Sequence, residues 1–249
     1  MLLTCDIGNT NIKTGLFAEN KLIEFQSFHS TRDLILYTKG ITFSEIAVSS
    51  VVPQKLNEIK KTLDENIKLT EISGSSPFNL KIDYYSIDTL GIDRLCSCEG
   101  AFYLYKQSAQ YQDYKSSTFL LTIDFGTATT INFIKYPGVF KGGIIAPGIH
   151  TMIASLHLGT AQLPQIDIDD YKALIGKSTN ESIASGIINS TLGLIERVVN
   201  HLTKDYKAEE IKIFITGGNA EALLPYLSFE YIYEKALVLY GVNAVYERM

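Results

Sequence analysis

The sequence has little of what several protein classes require. Its 249 residues include no tryptophan and only three cysteines, Cys5, Cys96 and Cys98, so no disulfide framework is expected. Its four histidines show no H-x3-H spacing and join no cysteine pair at C-x2-C spacing, which excludes a recognisable zinc site. It contains no run of 18 apolar residues, so no membrane-spanning segment is expected.

The sequence also lacks a basic excess. It has 22 Lys+Arg against 27 Asp+Glu, a formal net charge of -5, whereas a non-specific nucleic-acid binder normally carries a basic stripe. The first residues reach Asp6 with no basic segment, unlike a secretory signal. At 46% hydrophobic and 20% charged, the composition is that of a globular protein with one large or two small domains. We therefore expect a cytoplasmic protein that binds neither nucleic acid nor membrane.

What the sequence does contain is an internal repeat. Residues 2–11, LLTCDIGNTN, reappear at 120–129 as LLTIDFGTAT, with Leu, Leu, Thr, Asp and Gly in register. Each copy is an apolar run, an Asp-x-Gly turn and a second β-like run, at 12–17 and 130–134. This pattern predicts a strand–turn–strand hairpin in each copy. Two copies predict a duplicated domain, divided into residues 1–115 and 116–249.

Strands and helices are predicted to alternate after each hairpin, which is typical of an α/β fold. The predicted strands lie at 24–30, 45–52, 68–72, 138–145 and 210–216, and the predicted helices at 54–66, 95–111 and 178–206. The last of these helices has one apolar face of residues at three- and four-residue steps: Ile183, Ile187, Thr191, Leu194, Val198 and Leu202. The polar stretch 106–117 is interpreted as a helix end passing between the halves.

The two Asp-x-Gly turns are candidate phosphate-binding turns. Gly8 lets the backbone approach an anion closely, and backbone N–H groups with small polar side chains can donate to phosphate oxygens. Asp6, at the strand end, could hold Mg²⁺ or its water ligands. Residues 124–129 offer the same groups, so two such turns facing each other across a cleft could hold a nucleoside triphosphate. The alternative for either copy is a plain hairpin turn.

Other glycine-containing segments are ambiguous. Residues 216–220, TGGNA, and 142–148, GGIIAPG, could form turns or contact a flat ligand. Residues 176–179, GKST, look like the end of a P-loop, but position 171, where its first glycine belongs, is a tyrosine. We reject that interpretation and predict a helix N-terminus there, with Ser178 or Thr179 near the cap and Glu181 in the first turn.

The segment GIDR, residues 91–94, places a carboxylate and a cation before a predicted helix. Taken alone, this spacing favours a structural role in which Asp93 caps the helix and Arg94 is solvated. A catalytic role for Asp93 is the alternative.

Taken together, these motifs resemble the type III pantothenate kinase family, also known from the Bvg accessory factor. The resemblance covers nearly the whole chain. The matching segments are DIGNTNIK at 6–13, SSVVP at 49–53, GIDR at 91–94, DFGTATT at 124–130, GGIIAPGI at 142–149, TAQLP at 160–164, GKSTNESIASG at 176–186 and TGGNA at 216–220. The resemblance implies the fold of the acetate and sugar kinase/Hsp70/actin superfamily: two ribonuclease-H-like halves with a central cleft. It also implies a homodimer.

The resemblance further implies ATP-dependent phosphorylation of pantothenate to 4′-phosphopantothenate, with Mg²⁺ and a monovalent cation, K⁺ or NH₄⁺. The cation would be bound by Asp124, and Asp93 would accept the substrate proton, which reverses the structural interpretation of that residue. The residues implied to bind ATP are Asp6, Ile7, Gly8, Asn9, Thr10, Asn11, Ile12, Lys13 and Thr127. Those implied to bind pantothenate are Tyr84, Gly91, Ile92, Asp93, Arg94 and Thr179.

One substrate residue is open to an alternative. The family often has proline three residues after the substrate-contacting tyrosine, where this chain has Ile87, and Tyr85 is the alternative to Tyr84. Two rival functions also stay open. A polyphosphate or nucleotide phosphatase of the same superfamily would use Asp93 to orient water. A non-catalytic regulatory protein could keep the nucleotide-binding fold, although the intact Asp6, Asp93 and Asp124 speak against it.

Overall fold

The computed structural model describes residues 1–108 and 117–249. Within them the strands are β1 (Leu2–Ile7), β2 (Ile12–Ala18), β3 (Lys21–Phe28), β4 (Glu45–Ser50), β5 (Lys68–Glu71), β6 (Lys81–Ile82), β7 (Thr118–Phe125), β8 (Ala128–Lys135), β9 (Val139–Pro147), β10 (Glu210–Thr216) and β11 (Ile232–Tyr233). The α-helices are α1 (Thr31–Thr38), α2 (Pro53–Thr62), α3 (Ile92–Gln107), α4 (Ile149–Gly159), α5 (Thr179–Lys204), α6 (Ala220–Leu223) and α7 (Leu237–Tyr246).

The two sheets have the same strand order. The first is β3-β2-β1-β4-β5, and the second is β9-β8-β7-β10-β11 with β6 added beside β9. In both, the first strand of the hairpin pairs in parallel with a strand that follows a helix, β1 with β4 and β7 with β10. The predicted hairpins are confirmed, and so is the duplicated α/β fold.

By their contacts, the described residues form two compact units. The first holds 1–108, 132–142 and 236–249, and the second holds 117–131 and 143–235. The C-terminal helix α7 therefore belongs to the first unit. The boundary predicted from the repeat, between residues 115 and 116, lies outside the described residues, and that division of the chain into halves stays a prediction.

The core of the first unit follows from the strand pattern. Leu3, Cys5 and Ile7 alternate along β1 and are fully buried, together with Ile46 and Val48 of β4. Alternate residues of a strand face one side of the sheet, so these side chains form one apolar layer beneath the turn that follows β1. The layer fixes the end of β1, where Asp6 stands.

The predicted helix at 178–206 is confirmed as α5. Ser178 is its N-cap and accepts a hydrogen bond of 3.2 Å from the backbone N–H of Glu181, as expected for residues 176–179. On the predicted apolar face only Leu194 is partly exposed, whereas the other five residues are buried. The hydrophobic period therefore located the core side of this helix correctly.

Several predicted boundaries were wrong. The helix predicted at 95–111 begins earlier, at Ile92, and its predicted end at 109–111 lies outside the described residues, as does most of the stretch 106–117. The helix predicted at 54–66 is α2, which ends at Thr62. The strand predicted at 24–30 is β3, which ends at Phe28, because Ser30 caps α1 by accepting from the N–H of Asp33. No α-helix in the described ranges is long and apolar enough to cross a bilayer.

Candidate active site

The first Asp-x-Gly turn joins β1 to β2. Asp6 is half-buried, and its Oδ1 accepts a hydrogen bond of 3.0 Å from the hydroxyl of Ser49 in β4. The N–H of Gly8 donates to the carbonyl of Asn11 at 3.0 Å and closes the turn. The amide oxygen of Asn11 is buried without a hydrogen-bond partner among the residues that the structure describes. The turn therefore has a fixed carboxylate at its base and one polar atom that the described chain leaves unsatisfied.

Lys55 of α2 donates two hydrogen bonds to the backbone of this turn. Its Nζ donates to the carbonyl oxygens of Gly8, at 3.0 Å, and of Asn9, at 2.8 Å. The lysine reaches them because Pro53 starts α2 directly after β4, the parallel neighbour of β1. Sequence reasoning missed this residue, since its position two residues after the SSVVP motif carries no sign of a contact with the turn.

The second Asp-x-Gly turn joins β7 to β8 in the other unit. Asp124 is half-buried, and the N–H of Gly126 donates to the carbonyl of Ala128 at 3.1 Å. Asn219 braces the turn twice, because its backbone N–H donates to Phe125 O at 2.9 Å and its Nδ2 to Gly126 O at 3.1 Å. This asparagine comes from the TGGNA segment, so that motif packs on the turn.

The glycines around the second turn allow this close packing. Gly217 has φ +106, and a Cβ there would lie 2.6 Å from Oδ1 of Asp124. The GGIIAPG segment supplies the other side, where the N–H of Gly148 and the hydroxyl of Thr151 donate to Thr127 O at 3.0 and 2.7 Å. Both ambiguous glycine segments thus contact this turn, whereas ligand contact by either of them stays a prediction.

Asp93 lies in the first turn of α3 but does not cap it. The N-cap is Gly91, without a side-chain cap bond, so the capping interpretation was wrong. Instead, Oδ1 of Asp93 accepts from the backbone N–H of Arg94 at 2.8 Å, which orients the carboxylate. A Cβ on Gly91 would lie 2.6 Å from that oxygen, so glycine leaves room for the carboxylate. A carboxylate in the first turn is also favoured by the helix dipole.

Arg94 is buried rather than solvated, with 7% of its surface exposed. Its Nε donates to Oδ1 of Asn132 at 2.7 Å, and its Cζ lies 6.0 and 5.9 Å from the ring centroids of Tyr84 and Phe140. Its Nη2 is buried without a hydrogen-bond partner among the described residues. A buried guanidinium that faces a neutral amide and two aromatic rings carries a charge that these neighbours do not neutralise.

Tyr84 reaches Arg94 because β6 pairs with β9. Ile82 is in register with Phe140, and the N–H of Asp83 donates to Phe140 O at 3.0 Å. The rings of Tyr84 and Phe140 then meet edge to face, with centroids 5.8 Å apart. Tyr85, the sequence alternative, is fully exposed.

The thiol of Cys96 is buried, and the charges of both Asp6 and Asp93 act on it. Burial is the largest cause of its raised pKa, and the charges of Asp6 and Asp93 raise that pKa further. The two carboxylates therefore lie within electrostatic range of one side chain. Asp6 and Asp93 both belong to the first unit, and both charges act on the same buried thiol.

The remaining predicted site residues belong to the second unit. Thr127 is exposed at the tip of its turn, and Thr179 is the exposed first residue of α5. Thr179 lines a surface recess together with Leu163, Lys177 and Ser182. Lys177 donates its backbone N–H to Oε2 of Glu181, an arrangement of a helix N-terminus and not of a P-loop.

The acidic residues fit the metals that the sequence implies. No cluster of three His, Cys, Asp or Glu side chains occurs in the described ranges. Mg²⁺ in a kinase needs no such cluster, because one or two carboxylates and substrate phosphates complete its shell with water. Asp6 offers one such carboxylate. The carboxylate of Asp124 lies close to the backbone of Gly126 and Gly217, and its role as the ligand of a monovalent cation stays a prediction.

The repeated sheet order and the paired Asp-x-Gly turns define a class, the duplicated fold of sugar kinases, Hsp70 and actin. Solved structures support this fold. A Campylobacter jejuni protein described as a Baf family transcriptional activator is 21% identical, with a TM-score of 0.60 over 99% of this chain and 98% of its own. Component A of (R)-2-hydroxyglutaryl-CoA dehydratase from Acidaminococcus fermentans is 12% identical, with a TM-score of 0.50 over 98% and 96%.

The chain belongs to the type III pantothenate kinase family, whose family model matches residues 2–201. Curated relatives of that name agree over nearly their whole length. The protein of Fervidobacterium nodosum is 33% identical, over 99% of this chain and 97% of its own. That of Thermosipho africanus is 30% identical, over 100% and 99%.

Proposed function

We propose that this chain transfers the γ-phosphoryl group of ATP to pantothenate, giving 4′-phosphopantothenate in the first step of coenzyme A biosynthesis. The observation that carries the proposal is the buried guanidinium of Arg94, directly after Asp93 at the start of α3. Its Nη2 has no hydrogen-bond partner among the residues that the structure describes. Consecutive residues of a helix direct their side chains about 100° apart, so Asp93 and Arg94 can serve two different groups of one substrate, a hydroxyl to be deprotonated and an acid group.

Arg94 binds the carboxylate of pantothenate in this proposal. A guanidinium held by Asn132 and by two aromatic rings is fixed in one orientation, so little side-chain entropy is lost on binding. The partner of Nη2 would be a carboxylate oxygen, and such a charged hydrogen bond is strong in a desolvated site. Tyr84, Gly91 and Ile92 would line the substrate around it.

Asp93 accepts the proton of the substrate hydroxyl. The hydroxyl oxygen forms a bond to the γ-phosphorus as the bond to the leaving ADP oxygen breaks, and the proton passes to the Asp93 carboxylate. The hydrogen bond from the N–H of Arg94 sets the direction of that carboxylate. Phosphoryl transfer depends mostly on positioning and charge neutralisation, so one oriented base and fixed phosphates are sufficient chemistry for the chain.

ATP binds to the first turn, Asp6 to Lys13, and to Thr127 of the second. Backbone N–H groups and the small polar side chains of the turns donate to phosphate oxygens. Mg²⁺ held by Asp6 and K⁺ or NH₄⁺ held by Asp124 would supply positive charge for the triphosphate. We further propose that residues 1–115 and 116–249 are the duplicated halves, and that the chain acts as a homodimer in the cytoplasm.

A coupled assay of ADP release, with and without pantothenate, tests this function. We expect ADP only when pantothenate and Mg²⁺ are both present, at a rate that rises when K⁺ or NH₄⁺ is added. Phosphate release at full rate without pantothenate would indicate the rival phosphatase, in which Asp93 orients water. No ADP under any of these conditions would favour the non-catalytic regulatory protein.

Replacing Asp124 by alanine should abolish the response to monovalent cations. In the wild type we expect low activity in sodium or lithium buffer and a rise with potassium or ammonium. The larger ions hold their water ligands less strongly, so they exchange one for a carboxylate more readily. The Asp124→Ala variant should show one rate in all four buffers, as measured by ADP release. Asp169→Ala, at an exposed carboxylate of the same unit, should respond as the wild type does. Equal wild-type activity in sodium and potassium would remove the cation role.

Replacing Thr179 by valine should raise the KM for pantothenate about two- to tenfold, because losing one hydrogen bond costs about 0.5–1.5 kcal/mol. The companion variant Lys177→Ala should leave ATP binding intact, because residues 176–179 form the N-terminus of α5 and not a P-loop, and the backbone N–H that donates to Glu181 is kept. Steady-state kinetics for each substrate measure both effects. A collapse of ATP affinity in the Lys177 variant would restore the P-loop interpretation.

A further inference from the structure

The two carbonyl groups that Lys55 holds belong to consecutive peptide units. Gly8 O and Asn9 O accept from the same ammonium group, so both carbonyls point to the side of the turn where α2 begins. A trans peptide unit is planar, and its N–H points opposite to its C=O. The N–H groups of Asn9 and Thr10 are therefore directed to the side away from Lys55. Consecutive N–H groups directed to one side form a concave site for an anion.

The second turn shows the same arrangement with different donors. In the repeat, Gly8 and Asn9 correspond to Gly126 and Thr127. Gly126 O accepts from Nδ2 of Asn219, and Thr127 O accepts from Gly148 N and from the hydroxyl of Thr151. The equivalent pair of carbonyl oxygens thus accepts hydrogen bonds in both copies, although the donor residues do not correspond in the repeat. Since different residues donate to the equivalent carbonyls in the two turns, we infer that both turns need these peptide groups in a fixed orientation.

We infer that Lys55 is a positioning residue for the triphosphate: it fixes the first turn with its N–H groups toward the phosphates of ATP. The inference rests on the proposed function, because it needs that turn to bind phosphate. Of the four donors Lys55, Asn219, Gly148 and Thr151, only Lys55 has a charged side chain. It therefore also adds a positive charge behind the turn and opposes the repulsion between the triphosphate and the carboxylate of Asp6.

Replacing Lys55 by methionine tests the inference, because methionine keeps the unbranched apolar stem and removes the donor and the charge. We expect the KM for ATP and the Kd for ATP, measured by calorimetry without pantothenate, to rise about tenfold. The KM for pantothenate should change less than twofold. Lys55→Arg, which keeps a charged donor, should recover most of the ATP affinity. Lys61→Met is the matched control, since Lys61 is an exposed lysine of the same helix, and it should bind ATP as the wild type does.

The outcomes are distinct. Unchanged ATP affinity in the Lys55→Met variant overturns the inference, and so does an equal rise of both KM values, which a merely structural role would give. If the methionine variant does not fold, Lys55→Gln takes its place under the same criteria. Failure of the proposed function would appear in the wild type itself, as ADP release that does not depend on pantothenate. ATP binding by the wild type would still let the Lys55 variants decide the role of the turn.

Discussion

Replacing Asp93 by asparagine should lower kcat for pantothenate phosphorylation at least about a hundredfold while both substrates still bind. Asparagine keeps the shape of the side chain and an oxygen that can accept from the N–H of Arg94, but it cannot take a proton. Removing a general base typically costs about 10²–10⁴ in rate, or about 3–5 kcal/mol of barrier. The loose transition state of phosphoryl transfer places this enzyme toward the lower end of that range. Stopped-time assays of ADP release measure the loss.

The matched control is Asp88→Asn. Asp88 is an exposed carboxylate in the short 3₁₀ segment just before α3, so the same substitution there should leave kcat within twofold of the wild type. Thermal unfolding should show that both variants fold, because Asp93 is not the N-cap of α3. A folded Asp93→Asn variant with nearly wild-type turnover would show that the carboxylate is structural.

Replacing Arg94 by glutamine should raise the KM for pantothenate about ten- to a hundredfold, since a hydrogen bond to a charged group is worth about 1.5–3 kcal/mol. Glutamine can still donate to Asn132 but carries no charge for a carboxylate. An analogue in which an alcohol replaces the carboxylate of pantothenate sharpens the test. The wild type should prefer pantothenate over this analogue, and the variant should lose that preference.

Arg32→Gln provides the control for Arg94, because Arg32 is an exposed arginine on α1 of the same unit. It should retain the wild-type KM and the wild-type preference between the two compounds. If Arg94→Gln were to keep that preference, the carboxylate of the substrate would have to bind elsewhere. The buried guanidinium of Arg94 would then no longer support the proposed function.

The fold could be predicted in outline because its main signals are local. The repeat around Asp6 and Asp124 marks two hairpins, and the apolar run before each turn marks a strand that is buried along nearly its whole length. The helix α7 has no such signal. Its residues are apolar nearly all round, so no polar face reveals a helical period, and its place in the first unit depends on contacts with elements far back in the chain.

The candidate site could likewise be predicted only in part. The carboxylates of the turns and of GIDR stand in recognisable motifs, whereas the residues that hold them come from distant segments. Lys55 meets Gly8 across 47 positions, and Asn132 meets Arg94 across 38. Neither partner stands in a motif that points to the other, so only the folded chain shows the pairs. The burial of Arg94 could not be predicted for the same reason. An arginine is normally exposed unless a tertiary partner accepts a hydrogen bond from its guanidinium.

The fate of the γ-phosphoryl group tests the proposed transfer most directly. The purified chain should be incubated with ATP, Mg²⁺, K⁺ and pantothenate, and the products followed by phosphorus NMR. If the chain carries out this transfer, ADP and 4′-phosphopantothenate form in equal amounts, with no inorganic phosphate, and the Asp93→Asn variant forms both far more slowly. ADP accompanied by an equal amount of inorganic phosphate, whether pantothenate is present or not, would contradict it.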